Sequence, residues 1–356
     1  VSYSRLYLAG NSLPLKLPGV IQLMKYVPHY TVTARLLRML ESITALKTKI
    51  DASAVSVAWI PAIREESSLR TAHSSTAIEG NPLTLKEVKI LSQGGRLPQA
   101  KPKHTNEVLN YLAALRYIEQ HSGAKKITAK DVLRLHGIIG RNALDREPVG
   151  AYRPYQVYVG NHTPPIALAV PGLVSDLLDW LNRAGPDLPA VISSAILHYR
   201  FEYIHPFGDG NGRVGRALAT WELYRKKFDT HHIFAVDEIL REDRPAYYRA
   251  LDTVRRQKED LTTWLEFMAS AVEKTLERVW RRIGLLGKHG GRQTLILTPK
   301  QEKLLLILRE GALSISQIQQ ELKVTKQGAH FILKPLLGNK LIKRTGGHKT
   351  GKYSLI

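Results

Sequence analysis

The sequence predicts a mainly α-helical protein with a short β-hairpin in its body and a separate helix-and-hairpin module at its C-terminal end. Three observations predict it. Apolar residues recur at helical spacing along most of the chain, as in Val191-Ile192…Ala195-Ile196…Tyr199 and Val214…Leu218…Trp221. The stretch from Gly150 to Val159 alternates like a strand, turns at Gly160-Asn161 and returns through His162 to Ile166. Gly284, Gly287, Gly290 and Gly291 mark a linker (284–292) that sets residues 293–356 apart.

The elements follow in order. Residues 1–30 carry Pro14, Pro18 and Pro28 among apolar residues and read as an irregular arm. Thr31 to Ala54 reads as an amphipathic helix. A second helix, about residues 62–80, is stopped by Gly80 and Pro82. Near its end Ser75 and Glu79 stand one turn apart on a shared face. A glutamate at a helix C-terminus opposes the dipole, and a buried arginine partner would explain it. Residues 91–105 read as a polar linker, closing an N-terminal helical region over 1–104. In the core, 105–283, helices are expected at about 105–121, 128–140 (capped at Thr128), 171–182 and 261–283, with His136 a structural residue.

A net charge of +21 over 356 residues suits a polyanionic partner such as nucleic acid. With no cysteine, disulfides, thiolate metal sites and cysteine nucleophiles are excluded. No run approaches eighteen apolar residues, and Val1-Ser2-Tyr3-Ser4-Arg5 lacks the apolar core of a signal peptide, so a cytoplasmic protein with no membrane partner is expected.

The chemistry concentrates in His205-Pro206-Phe207-Gly208-Asp209-Gly210-Asn211-Gly212-Arg213-Val214-Gly215-Arg216. Pro206 and Gly208 break any continuous helix, so this reads as helix, tight loop, helix. Glycines let backbone N–H groups converge on an anion at the start of the second helix. Arg213 and Arg216 share a face of its first turn, where without an anion they would oppose the dipole. Asp209 is a hard oxygen ligand suited to Mg²⁺ beside phosphates. His205 can take a proton from an attacking hydroxyl.

This stretch resembles the Fic family signature, H-P-F-x-[D/E]-G-N-G-R-x-x-R, at every defined position. The resemblance implies a Fic-type helical bundle that transfers AMP from ATP to a hydroxyl of a target protein. By it, His205 is the catalytic base and Asp209 holds Mg²⁺. The nucleotide lies on the loop of Phe207, Gly208, Gly210 and Gly212, with Phe207 anchoring it. Asn211 takes the α-phosphate, Arg213 the β-phosphate and Arg216 the γ-phosphate, and Tyr248 bounds the adenine. Ser75-Thr76-Ala77-Ile78-Glu79-Gly80 resembles the family's inhibitory motif, [S/T]-x-x-x-E-[G/N], in which the glutamate pairs with the second signature arginine, here Arg216. The hairpin near 150–166 falls where the family has a flap that clamps the target.

Residues 293–356 resemble a winged helix-turn-helix. Helices are expected from Thr298, Ser314 and Thr325, and a hairpin from Leu341 to Leu355. Between residues 288 and 356 thirteen Lys and Arg face three Glu. Lys326, Gln327, His330 and Lys334 are the major-groove candidates, and Lys343 and Arg344 the phosphate contacts. Three readings remain open: an adenylyltransferase braked by Glu79, a DNA-binding regulator that senses nucleotide, and a Fic enzyme that removes AMP or uses another donor. Homodimerisation is left open.

Overall fold

The computed structural model describes residues 25–53, 60–145, 148–160, 162–286, 297–308, 311–338, 341–347 and 351–355. The expected arm therefore lies largely outside the described residues, as does Asn161 at the tip of the hairpin. Local signals set the helix starts. Helix α1 (Ala34–Ala52) begins where the Thr33 side chain accepts from the Leu36 N–H. Helix α2 (Ile60–Ile78) ends before Gly80, whose φ of +96° a side chain would resist. Helix α3 (Leu85–Ser92) was not expected; it lies before the expected linker and runs into its first two residues. Its Thr84–Glu87 capping box was present in the sequence, so the signal existed. Helices α4 (Pro102–Gln120) and α5 (Ala129–Gly140) follow, the second capped reciprocally by Thr128 and Asp131.

Helix α6 (Val170–Arg183) is strongly amphipathic and buries Leu177, Leu178 and Leu181, while Leu173 is half-buried. Helices α7 (Ala190–Ile204) and α8 (Asn211–Arg225) are different: apolar and small residues surround them, and both lie at the centre of the larger core. Helix α11 (Thr262–Leu286) packs on α7, helices α9 (Val236–Glu242) and α10 (Arg244–Arg256) pack on α11, and α1 packs along α11. The last helix runs past the residue expected to start the linker. Gly215 lets α8 pass close to α7. A Cβ there would stand 2.4 Å from Glu202 Oε1 and 3.3 Å from the Phe201 ring. Gly215→Ala is expected to cost about 1–3 kcal/mol of stability through overpacking, read as a lower midpoint in urea at unchanged slope.

The hairpin between α5 and α6 is present as a turn without a ladder. Val159 and His162 exchange two backbone bonds of 2.9 Å and form its single bridge among the described residues. Pro154, Pro164 and Pro165 have no N–H to donate, and side chains take over the cross-links. The Gln156 amide, for one, donates to the Pro164 carbonyl at 2.9 Å.

A buried charge cluster ties α2 to its neighbours. Arg70 on α2 donates to Glu66, to Glu238 on α9 and to the Leu297 carbonyl. Burial alone would raise the Glu238 carboxyl, but Arg282, Arg70 and Arg278 hold it at about 2.

The C-terminal unit has its own core, with Leu304, Leu305, Ile318, Leu333, Leu336 and Tyr353 among its members. Its elements are α12 (Pro299–Ile307), β1 (Leu313–Ser314), α13 (Ile315–Leu322), α14 (Lys326–Gly338), β2 (Ile342–Thr345) and β3 (Lys352–Leu355). The sheet is antiparallel in the order β1-β3-β2, so a short third strand joins the expected hairpin. Pro335 sits in the last turn of α14, which ends three residues later. No described helix is long and apolar enough to cross a membrane.

Candidate active site

The site lies at the turn between α7 and α8. Helix α7 ends on His205, held in the left-handed region (φ +51°) with its N–H donated to the Phe201 carbonyl at 2.9 Å. Gly210, also left-handed (φ +80°), starts α8 and offers no side-chain cap. The first N–H groups of α8 therefore point out of the helix without a capping side chain.

Between these residues the loop is fixed from inside. The Phe207 ring is fully buried and stacks on His136, with centroids 3.7 Å apart and planes 3° apart. The Asn211 amide accepts from the Phe207 N–H and donates to the Phe207 carbonyl, both at 2.9 Å. His136 accepts from the Gly150 N–H through Nδ1, so the proton is on Nε2, which reaches the Asp209 carbonyl at 3.1 Å. Burial pushes His136 down to about 4, so this neutral tautomer persists at neutral pH.

Asp209 is half-buried. Its Oδ1 accepts from the Gly210 N–H and, at 3.4 Å, from Arg213; its Oδ2 accepts from the Asp145 N–H at 3.2 Å. Arg213 is buried and donates to Glu107 at 3.1 Å, while its Nε, also buried, has no protein acceptor. Glu107 takes a further bond, 2.7 Å, from Asn81.

Arg216, 1% exposed, points at the end of α2. It donates to the Ser75 hydroxyl (2.8 Å), the Ser75 carbonyl (2.9 Å) and Glu79 Oε1 (2.7 Å). Burial would lower its pKa, but Glu79, with Tyr247, Asp237 and Tyr111, raises it well above the ordinary value. The same Glu79 oxygen is 2.4 Å from where a Gly212 Cβ would be. The carboxylate thus rests on the first turn of α8, the end where the dipole favours an anion.

Residues 126–223 match the family model described as the Fic/DOC family. This chain carries a Fic domain. The protein adenylyltransferase Fic of Drosophila willistoni is 31% identical over 244 residues, 67% of this chain and 47% of that protein. Protein adenylyltransferase fic-1 of Caenorhabditis elegans is 32% identical over 246 residues, 68% of this chain and 46% of the relative. The chain spans about half the length of these curated relatives. Among solved structures, a Fic family protein from Desulfovibrio desulfuricans G20 aligns with a TM-score of 0.65 at 28% identity, covering 93% of this chain and 98% of that one. Fic-1 from C. elegans aligns at 0.60 and 28%, covering 72% and 74%.

The Fic domain brings His205, Asp209, Arg213 and Arg216 to one end of α8, with Ser75 and Glu79 arriving from α2. Phe207, expected to anchor the loop, is inside the core, and the Asn211 amide, expected at the α-phosphate, bonds through both its polar atoms to the Phe207 backbone, which holds the loop's shape. Gly208 is half-buried at the loop bend. Tyr248 stands 41% exposed beside buried Tyr247, its ring centroid 5.4 Å from the Arg244 guanidinium. The sequence reading missed Glu107 as the partner of Arg213. Its only signal was a carboxylate on the apolar face of α4, where an unpaired charge would be costly.

Within the C-terminal unit Lys326, Gln327, His330 and Lys334 are all exposed on α14, and Lys343 and Arg344 on β2. Phe331, 74% exposed on α14, joins them and was not anticipated.

Proposed function

We propose that this Fic domain transfers AMP from ATP to a Ser, Thr or Tyr hydroxyl of a protein, its own chain included, and that Glu79 restrains it. One observation carries the reading: the Glu79 carboxylate occupies an anion seat made by Arg216 and the first turn of α8, which follows directly on the loop of His205 and Asp209. Such a seat is shaped for a phosphate. When Glu79 withdraws, Arg216 and the α8 N–H groups receive the terminal phosphate of ATP, and Arg213, pre-set by Glu107, meets the phosphate before it. The hydroxyl oxygen then attacks the α-phosphorus, its proton passes to the His205 imidazole, and the bond to the bridging oxygen breaks to release pyrophosphate.

No three carboxylates or imidazoles cluster among the described residues. One carboxylate beside a phosphate seat is nevertheless the donor set Mg²⁺ uses, with phosphates and water completing the shell. Asp209 would hold the ion, which would neutralise charge on the phosphates. The test is the position of the label. Protein labelled by α-labelled and not γ-labelled ATP supports AMP transfer, and γ-label alone would overturn it.

A second activity is favoured by the C-terminal unit. Helix, strand, two helices and a β-ribbon, with an exposed basic face on the third helix, support a winged helix-turn-helix that binds duplex DNA. Its affinity is expected to fall with salt at a log–log slope of about −4 to −5 if some five phosphates are contacted. Replacing Lys343 with Ala should reduce that slope by about one. A salt-independent affinity would remove this reading.

A further inference from the structure

Arg153 sits beside the catalytic loop and has no carboxylate partner among the bonds it makes. It is 2% exposed, so a full positive charge is enclosed with carbonyl oxygens for company. Its backbone N–H donates to the Pro206 carbonyl at 2.9 Å. Its Nε donates to the His205 carbonyl at 2.8 Å, Nη1 to the Tyr155 carbonyl at 2.9 Å, and Nη2 to the Pro165 carbonyl. Tyr155 and Pro165 lie on the outgoing and returning sides of the turn that lacks a ladder. One planar group therefore binds both sides of the turn and the carbonyl of the proposed base.

The cost of burying that charge requires a reason. A lysine's three N–H bonds leave one nitrogen, as at Lys226, which serves the neighbouring carbonyls of Gly185, Pro186 and Leu188, whereas the guanidinium spreads its donors over three nitrogens in fixed directions and so reaches carbonyls on three separate segments. His205 also gains from being held, because its left-handed backbone (φ +51°) is disfavoured for a residue with a side chain. From these contacts we infer that Arg153 is a positioning residue for the transfer step. It fixes the His205 backbone and both sides of the flap to one rigid group, so that base and acceptor hydroxyl are set relative to each other. The inference rests on the reading of His205 as base. The bonds of Arg153 go to His205, Pro206, Tyr155 and Pro165 and none to Arg213 or Arg216, so it acts on geometry at the acceptor side and leaves nucleotide binding alone.

The experiment uses the full chain carrying Glu79→Gly as parent, with Arg153→Lys and Arg153→Ala added separately. Self-labelling from α-labelled ATP is measured against ATP concentration, and amide hydrogen exchange is followed without nucleotide. Both variants should lose about 100-fold in maximal rate, the scale of a misplacement near 1 Å, with the ATP concentration for half-maximal rate unchanged. Free guanidinium ion at sub-denaturing concentration should restore part of the rate to Arg153→Ala and none to Arg153→Lys. Exchange should quicken together at residues 155–163 and 205–208, with the melting temperature of α7 and α8 protection retained. Full activity in Arg153→Lys overturns the inference, as does a loss shared equally between rate and ATP affinity, or faster exchange in the flap alone. If the parent itself incorporates no label, the transferase reading fails first, and the exchange arm still decides whether the clamp exists.

Discussion

Glu79→Gly is expected to label itself from α-labelled ATP about 10- to 100-fold faster than the wild-type chain, because a charge-assisted hydrogen bond of about 1.5–3 kcal/mol no longer holds the phosphate seat shut. The same substitution should destabilise the free protein. Arg216 is enclosed, and losing Glu79 leaves it with Ser75 and the nearby Asp237 as its company. Breaking a fully buried ion pair costs about 3–5 kcal/mol. Glu79 is 31% exposed, so the loss here should be smaller, about 1–3 kcal/mol after that discount. ATP supplies a replacement anion and should return stability, by about 2.7 kcal/mol at a hundredfold excess over its dissociation constant. Thermal denaturation with and without ATP therefore has a sign pattern: lower melting temperature without nucleotide, larger upward shift with it. Gly212→Ala makes a useful contrast. Its Cβ would fill the space that carboxylate and phosphate both need, so it should weaken the brake without raising the rate. A Glu79→Gly protein that is destabilised, gains no labelling and gains nothing from ATP would show that the Glu79–Arg216 pair is only a structural bond.

Much of this site was legible in the sequence because its chemistry is local. His205 to Arg216 is one loop, and glycine, proline and arginine at fixed spacing determine what its backbone can do. The pairing of Glu79 with Arg216 spans 137 residues, yet a glutamate at the wrong end of a helix already demanded a cation. What was not legible is the support behind the loop. Nothing near Arg153 announces that its partners will be carbonyls on three separate segments. Nor does His136 announce a ring stack with Phe207, since tertiary approach decides both. The hairpin shows the converse. Its alternation was real, but three prolines removed donors from the ladder, and the Arg153 and Gln156 side chains took their place.

His205→Ala in the Glu79→Gly background should reduce labelling by about 10²–10⁴, the usual worth of a positioned general base, while ATP affinity stays within about twofold by the same separation of rate from binding. The second half matters, because a collapsed loop would lose both. The pH profile of the active variant tests the base more sharply. Burial pushes His205 down to about 4; the Glu202 carbonyl opposes this, and Arg153, His162 and Arg255 add smaller downward contributions. The base form is the neutral ring, and a lowered pKa extends it toward acid. The acid limb of kcat/KM should therefore fall near pH 4 and be flat from pH 7 to 5, where an ordinary histidine with a pKa near 6.5 would already have lost most of its base form. His136 is depressed to about 4 as well and must stay neutral to accept from Gly150, so loop geometry and base are lost in one window. An acid limb near 6.5 would mean that the ring is solvated when it works, and that the enclosed His205 seen against Arg153 belongs to the restrained state alone.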